Sequence, residues 1–226
     1  MTKPYIVCHM MTTIDGRIDC GMTVKLPGTK EYYATLAELS ACATVSGRVT
    51  AQLELAEPGI FTAQNQEKFV QEGFSKKISA ANYEVVVDTK GTLLWYDQVG
   101  SSQPLVVITS QQVTKEYLAY LDSLNISWIV CGKEKIDLVR AMEILAAEFG
   151  VARVAVVGGG TINAGFLAAG LLDEVSILLA PGIDGRKDMT AAFDGLPQDI
   201  EPFILQLKNV KTFANGAIWL RYNVKK

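Results

Sequence analysis

From residue 105 to residue 179, short β-branched runs alternate with stretches of helical apolar spacing. No other feature of the sequence restricts the fold as much. Residues 105–108, 127–131, 154–157 and 175–179 read as strands. Between them, Thr114 opens a helix with Tyr117, Leu118 and Leu121 on one face. Asp137 caps a longer helix that turns Val139, Met142, Leu145 and Phe149 inward and stops at Gly150. Residues 161–169 form a third helix. Strands that follow one another through helical crossovers pair in parallel and need helices on both faces. The expected fold class is therefore α/β, with a mainly parallel central sheet.

The flanks extend the pattern. Residues 5–12 read as the first strand, ending in the polar turn Thr13-Ile14-Asp15-Gly16-Arg17. Thr29 caps a helix with Tyr32, Leu36 and Leu39 on its apolar face, and residues 42–46 form a short buried strand broken by Gly47. A helix is expected over 65–72, ending at Gly73, and another strand over 83–87. The C-terminal part departs from the alternation: residues 203–213 and 217–224 are strand-like and meet at Asn215-Gly216, a hairpin signal whose type I′ turn needs positive φ at both positions. Glu174 is expected in the turn before its strand. The 226 residues, 49% hydrophobic, suit a single domain spanning 1–226.

Charge excludes some functions. The net charge is −3 and no basic run exceeds two residues, which argues against a nucleic-acid partner. No run approaches the roughly 18 apolar residues of a membrane span. Neither does the N-terminus read as a signal peptide, so a cytoplasmic location is expected. Cys8, Cys20, Cys42 and Cys131 are widely spaced and the chain has one histidine, which speaks against a zinc site.

The segment Val157-Gly158-Gly159-Gly160-Thr161-Ile162 carries the clearest chemistry. A buried strand enters glycines and then a helix N-terminus, where a ligand can approach the backbone and free amides suit a phosphate. The other reading is a tight turn with no ligand. A dinucleotide fingerprint fails at its third glycine, which is Asn163 here, and no Gly-Lys-Ser/Thr of a P-loop follows. Asp15, before Gly16, reads as a turn-forming residue. His9, inside the first strand, reads as a packed residue, and Trp95, Trp128 and Trp219 as core or interface.

Three segments in order resemble one family: Thr13-Ile14-Asp15-Gly16, Gly47-Arg48-Val49-Thr50, and Gly158-Gly159-Gly160 followed by Gly170-Leu171-Leu172-Asp173-Glu174. Val87-Asp88 and Ile108-Thr109-Ser110 fall where that family has strand ends. The resemblance is to the reductase domain of the bifunctional riboflavin enzymes and to the stand-alone fungal and archaeal reductases. It implies a dihydrofolate-reductase-like fold closed by an antiparallel hairpin, NADPH as hydride donor, and a ribosylamino-pyrimidine phosphate as substrate, reduced to its ribitylamino form. It also implies a homodimer, for which the apolar C-terminal strands could supply surface.

Carried over position by position, Thr13, Asp15 and Asp88 would meet the substrate, with Asp15 catalytic. Gly47, Arg48, Thr50, Thr109, Ser110, Gly158, Gly159, Gly160, Thr161 and Ile162 would meet the cofactor. For Arg48 the alternative is an exposed arginine, and for Thr109 and Ser110 an ordinary loop with helix caps. The family's zinc deaminase pattern is absent. So is the glutamate that often precedes its glycine pair, where Gly158 stands here. A same-fold reductase acting on a pterin, and a nucleotide-binding regulator without catalysis, are the competing functions.

Overall fold

The computed structural model describes residues 3–225. The chain divides into two compact units, one built on Cys42–Ala152 and the other on Tyr5–Ala41 with the residues from Arg153 onward.

In the first unit, β2 (Ala43–Gly47), β4 (Tyr83–Val87), β5 (Leu105–Thr109) and β6 (Ser127–Val130) run parallel in that order. β3 (Gly73–Ser75) joins antiparallel at the β6 edge. Strand alternation gives the sheet two apolar faces. One carries Val86, Val107, Trp128 and Val130, packed with Tyr117, Leu118 and Leu121 of α4 (Lys115–Ser123) and Ala51 of α3 (Arg48–Glu54). Tyr83 belongs to the other face, where Phe149 of α5 (Leu138–Phe149) meets it edge-on at 5.5 Å. Helices thus cover both faces, as the alternation requires.

The helix ends follow local chemistry. The Thr114 hydroxyl accepts from the Tyr117 amide, and the Asp137 carboxylate from the Arg140 amide. Gly150 ends α5 in the left-handed region, at φ 71°.

The second unit has β7 (Arg153–Gly158), β1 (Tyr5–Thr12) and β8 (Glu174–Leu179) in parallel order. β10 (Ile218–Val224) and β9 (Leu205–Thr212) continue it antiparallel. α2 (Thr29–Glu38) sets Tyr32 and Leu36 against Val7, Met11, Leu178 and Trp219. α6 (Gly160–Ala168) packs on β7, and α1 (Cys20–Thr23) is a single turn. His9 is fully buried: its ring stacks on Tyr32 at 4.8 Å and meets the Ser176 hydroxyl at 2.9 Å. The Trp219 indole N–H donates to that same hydroxyl at 2.8 Å. The three tryptophans are all buried.

Several expectations are corrected. Residues 65–72 form no helix. Phe69 donates its amide to the Val113 carbonyl, Lys68 bridges Thr114, and Lys115 donates to Glu67, so the segment lies extended beside the start of α4. Gly28, not Thr29, is the N-cap of α2. Val139 is 44% exposed, and Ala141 and Ile144 take its place on the buried face of α5. Glu174 is not in a turn. It is the first residue of β8, fully buried, with Arg221 and Lys208 (2.6 Å) paired to its two oxygens and the Tyr5 hydroxyl donating at 3.1 Å. The hairpin turns at Asn215-Gly216, but only Gly216 has positive φ, at 87°. With Phe213 donating to Ala217 and Gly216 to Phe213, it is a three-residue loop with a left-handed glycine.

Candidate functional site

In each unit the parallel strands end side by side, and their outgoing loops gather the residues singled out from sequence. In the first unit Gly47 is level with Val87, and Val87 with Ile108, so Gly47, Asp88 and Thr109 share one sheet edge. Gly47 is the N-cap of α3 and supplies no side-chain cap. Arg48, its first residue, is exposed, and Thr50 is half-buried.

The side chains of Asp88, Thr109 and Ser110 along this edge are engaged within the protein. The Asp88 carboxylate is buried and accepts the amides of Thr92 at 2.6 Å and Leu93 at 3.0 Å. The hydroxyls of Thr109 and Ser110 both donate to the Thr89 carbonyl, at 3.0 and 2.8 Å. All three shape the loop leaving β4.

In the second unit β7 enters the glycine run. Gly158 closes the strand with φ 129°, Gly159 is the N-cap of α6 without a side-chain cap, and Thr161 in the first turn is exposed. A helix begins with amides that have no partner inside it, and they carry the positive end of its dipole. Here no side chain of the N-cap residue covers them and no acidic residue stands in the first turn. The arrangement fits a phosphate group.

Gly160 has a different part. A Cβ there would lie 2.4 Å from the Ala191 carbonyl oxygen, so its missing side chain admits residues 190–194 against the helix start. Asp194 donates its amide to Gly160 at 3.2 Å, and the Asn163 side-chain amide donates to Ala192 at 2.7 Å. Asn163 is fully buried, and its own side-chain oxygen is without a hydrogen-bond partner among the described residues.

The turn after β1 meets the same loop. Thr13 is buried and its hydroxyl accepts from the Arg17 amide at 2.9 Å. Asp15 lies toward solvent, yet each of its carboxylate oxygens accepts a backbone amide, from Asp184 and from Gly185, both at 3.0 Å. A hydrogen bond from Thr13 and these two amides hold the carboxyl well below the usual carboxylate range. Arg17 donates to the Met189 carbonyl and forms a bridge with Ala191, and Arg186 is paired with Asp19 and Asp184.

Sequence reasoning missed the loop 181–194 and Asn163. The signal for Asn163 was a lone amide side chain among Ile162, Ala164 and Phe166. The loop offered only its Gly-Ile-Asp-Gly-Arg composition.

Comparison with known proteins covers nearly the whole chain. The family described as the RibD C-terminal domain matches residues 4–219. The 2,5-diamino-6-ribosylamino-4(3H)-pyrimidinone 5′-phosphate reductase of Methanothermobacter thermautotrophicus is 24% identical over 236 positions, covering 99% of each chain. The protein of the same name from Archaeoglobus fulgidus is 22% identical over 225 positions, covering 98% of this chain and 99% of that one. The crystal structure of a pyrimidine reductase-like protein from Corynebacterium diphtheriae shares the fold, with a TM-score of 0.74 at 19% identity. That match covers 99% of this chain and 92% of the other.

Proposed function

We propose, since the chain belongs to the RibD C-terminal domain family, that it is an NADPH-dependent reductase of a ribosylamino-pyrimidine phosphate in riboflavin biosynthesis. Its archaeal relatives carry the name of that activity along their whole length. The observation that carries the cofactor assignment is the uncapped start of α6 after Gly158 and Gly159. NADPH, when bound, supplies a hydride, and the organic chemistry of the transfer is its own.

This chain's residues bind and orient. The amides of Thr161 and Ile162 would face the pyrophosphate, and Gly158 and Gly159 would let it approach. Gly47, Arg48 and Thr50, around the uncapped start of α3, are the residues of the first unit we assign to the cofactor. Reduction of the ribosyl group adds hydride at carbon 1′ and breaks its bond to the ring oxygen, which takes up a proton. Water supplies that proton, and Thr13 and Asp15 of the turn after β1 are the residues we assign to the substrate. The side chains of Asp88, Thr109 and Ser110 act by holding the β4 loop in place. We take residues 1–226 as one reductase domain; the family match covers residues 4–219.

We assign a homodimer to this chain, with the C-terminal strands as its interface. Leu205, Leu207 and Val210 of β9 and Ile218, Leu220, Tyr222 and Val224 of β10 share one sheet face, opposite the face on which Trp219 meets α2. β9 is exposed along its whole length, Leu207 at 56%. Edge strands with such a face are normally covered, and a second copy is the occupant we assign. Cys8 and Cys131, buried and without a disulfide among the described residues, suit a reducing cytoplasm.

The test is an NADPH titration followed by oxidation of NADPH with the pyrimidine substrate. The reading expects saturable binding, turnover of the ribosylamino-pyrimidine, and at least tenfold weaker binding in a folded Gly159→Val variant. Turnover of a pterin alone would move the substrate assignment. Undiminished binding by the folded variant would remove the pyrophosphate from α6.

A further inference from the structure

We propose that Asp15 is a positioning residue: it latches residues 181–194, a strap between β8 and the segment leading to β9, so that order in the strap and binding at the start of α6 are coupled. The inference rests on the reading that the α6 terminus takes the cofactor pyrophosphate.

The strap is fastened at two places within the second unit. At its near end the Asp15 carboxylate accepts the amides of Asp184 and Gly185, and Ile14 donates to the Gly182 carbonyl at 2.8 Å. At its far end Ala191 lies against Gly160, Asp194 donates to the Gly160 carbonyl, and Asn163 donates to Ala192. Between them Arg17 reaches the Met189 carbonyl, Ile18 donates to Thr190 at 3.2 Å, and on the exposed crown Arg186 pairs with Asp19. The crown of the strap is exposed, the Lys187 side chain at 92%.

Two features make Asp15 the controlling fastening. It is the only residue of the β1 turn with two charged acceptors aimed at successive strap amides, and charge-assisted bonds of this kind are about twice as strong as neutral ones. The far end holds by neutral bonds and by the fit of a carbonyl against a glycine. Freed at Asp184 and Gly185, the strap would be held by the exposed Arg186–Asp19 pair, which contributes little, by Arg17 on the Met189 carbonyl and by neutral backbone bonds. Gly160 and Asn163 belong to the turn that presents the α6 amides. A ligand that requires those amides in place therefore favours the fastened strap, and by linkage the fastened strap favours the ligand.

Arg186 and Lys187 make the crown cleavable by trypsin, which gives a readout separate from catalysis. Full-length wild type, Asp15→Ala and Asp15→Asn are digested under native conditions, and cleavage after residues 186 and 187 is followed by mass spectrometry, with and without NADPH. Asp15→Ala is expected to be cut at least tenfold faster than wild type without ligand. Asp15→Asn, which keeps one acceptor, should fall between and serves if the alanine variant does not fold. NADPH should protect the wild-type crown, and Asp15→Ala should bind it several-fold more weakly. The KM for NADPH should rise by the same several-fold. Equal ligand-free cleavage of all three proteins overturns the latch. Faster cleavage with unchanged NADPH affinity overturns the coupling, and a fall in kcat with KM unchanged overturns the positioning role. A wild type that does not bind NADPH at all overturns the cofactor reading and the coupling with it, while the ligand-free rates still decide the latch.

Discussion

Acidification should destabilise this protein through His9, its one histidine. Burial pushes the imidazole pKa down to about 4 from 6.5, and the nearby Arg221 charge adds to the effect. In the native state the ring stays neutral between Ser176 and Tyr32, whereas in the unfolded chain it takes a proton below about pH 6.5. A depressed pKa in the folded state means that the stability is complete above 6.5 and is lost as pH falls from there through 4. The full difference of about 2.5 pH units corresponds to about 3.4 kcal/mol. Linkage places about 2 kcal/mol of that loss between pH 7 and pH 5 and about 3 kcal/mol by pH 4, a large share of a typical 5–15 kcal/mol stability. The assay is urea unfolding at pH 7, 6 and 5, followed by the fluorescence of the buried tryptophans, on wild type and His9→Gln. Carboxylates contribute equally to both proteins, and no second histidine confuses the comparison. Wild type should lose about 2 kcal/mol more than the variant from pH 7 to pH 5. Parallel losses in the two proteins would refute the argument, as would a smaller loss in wild type.

Other perturbations follow from packing. Gly160→Ala places a methyl 2.4 Å from the Ala191 carbonyl; it should speed trypsin cleavage at residues 186–187 by at least tenfold while leaving the far-ultraviolet spectrum unchanged. Glu174→Leu leaves Arg221 and Lys208 without their buried anion and should cost about 2–4 kcal/mol in urea unfolding at pH 7; a loss under 0.5 kcal/mol would show that the cluster adds little. Leu207→Lys on the exposed face of β9 should convert a dimer into a monomer by light scattering with the melting temperature of the monomer preserved, and an unchanged mass would move the interface elsewhere. Thr114→Ala removes the hydroxyl that accepts from Tyr117 and should cost about 1 kcal/mol, read from the urea midpoint.

The parallel strands, α4 and α5 were legible because each signals its own identity and boundaries. β1 and β4 are apolar runs with polar ends, and α5 carries an acceptor before it and a glycine after it. Where tertiary contacts decide, the sequence misleads. Residues 65–72 have helix-compatible composition, but Phe69 is wanted beside Trp128, at 5.6 Å, and the backbone pairs with 113–115 instead of with itself. α3 buries only Ala51 and exposes Val49 and Leu53, so it shows no apolar stripe to read. Asp15 was visible as a candidate, and so was the glycine run. What the sequence could not convey is that Asp15 answers to amides 169 and 170 residues away, because backbone donors carry no side-chain identity. The Thr109 and Ser110 hydroxyls looked available for the same reason: their acceptor is the Thr89 carbonyl.

The division of the chain has a consequence for synthesis on the ribosome. Cys42–Ala152 is continuous and can assemble as soon as it has emerged. β1, made earlier, has β7 and β8 as its neighbours, and these leave the ribosome roughly 140 residues later, on the order of ten seconds at usual elongation rates. During that interval Ile6, Val7, Cys8, Met10 and Met11 form an apolar strand with no partner in its own sheet. Yield in a cell should therefore depend on how well nascent-chain chaperones cover the first dozen residues, more than on the stability of the finished fold.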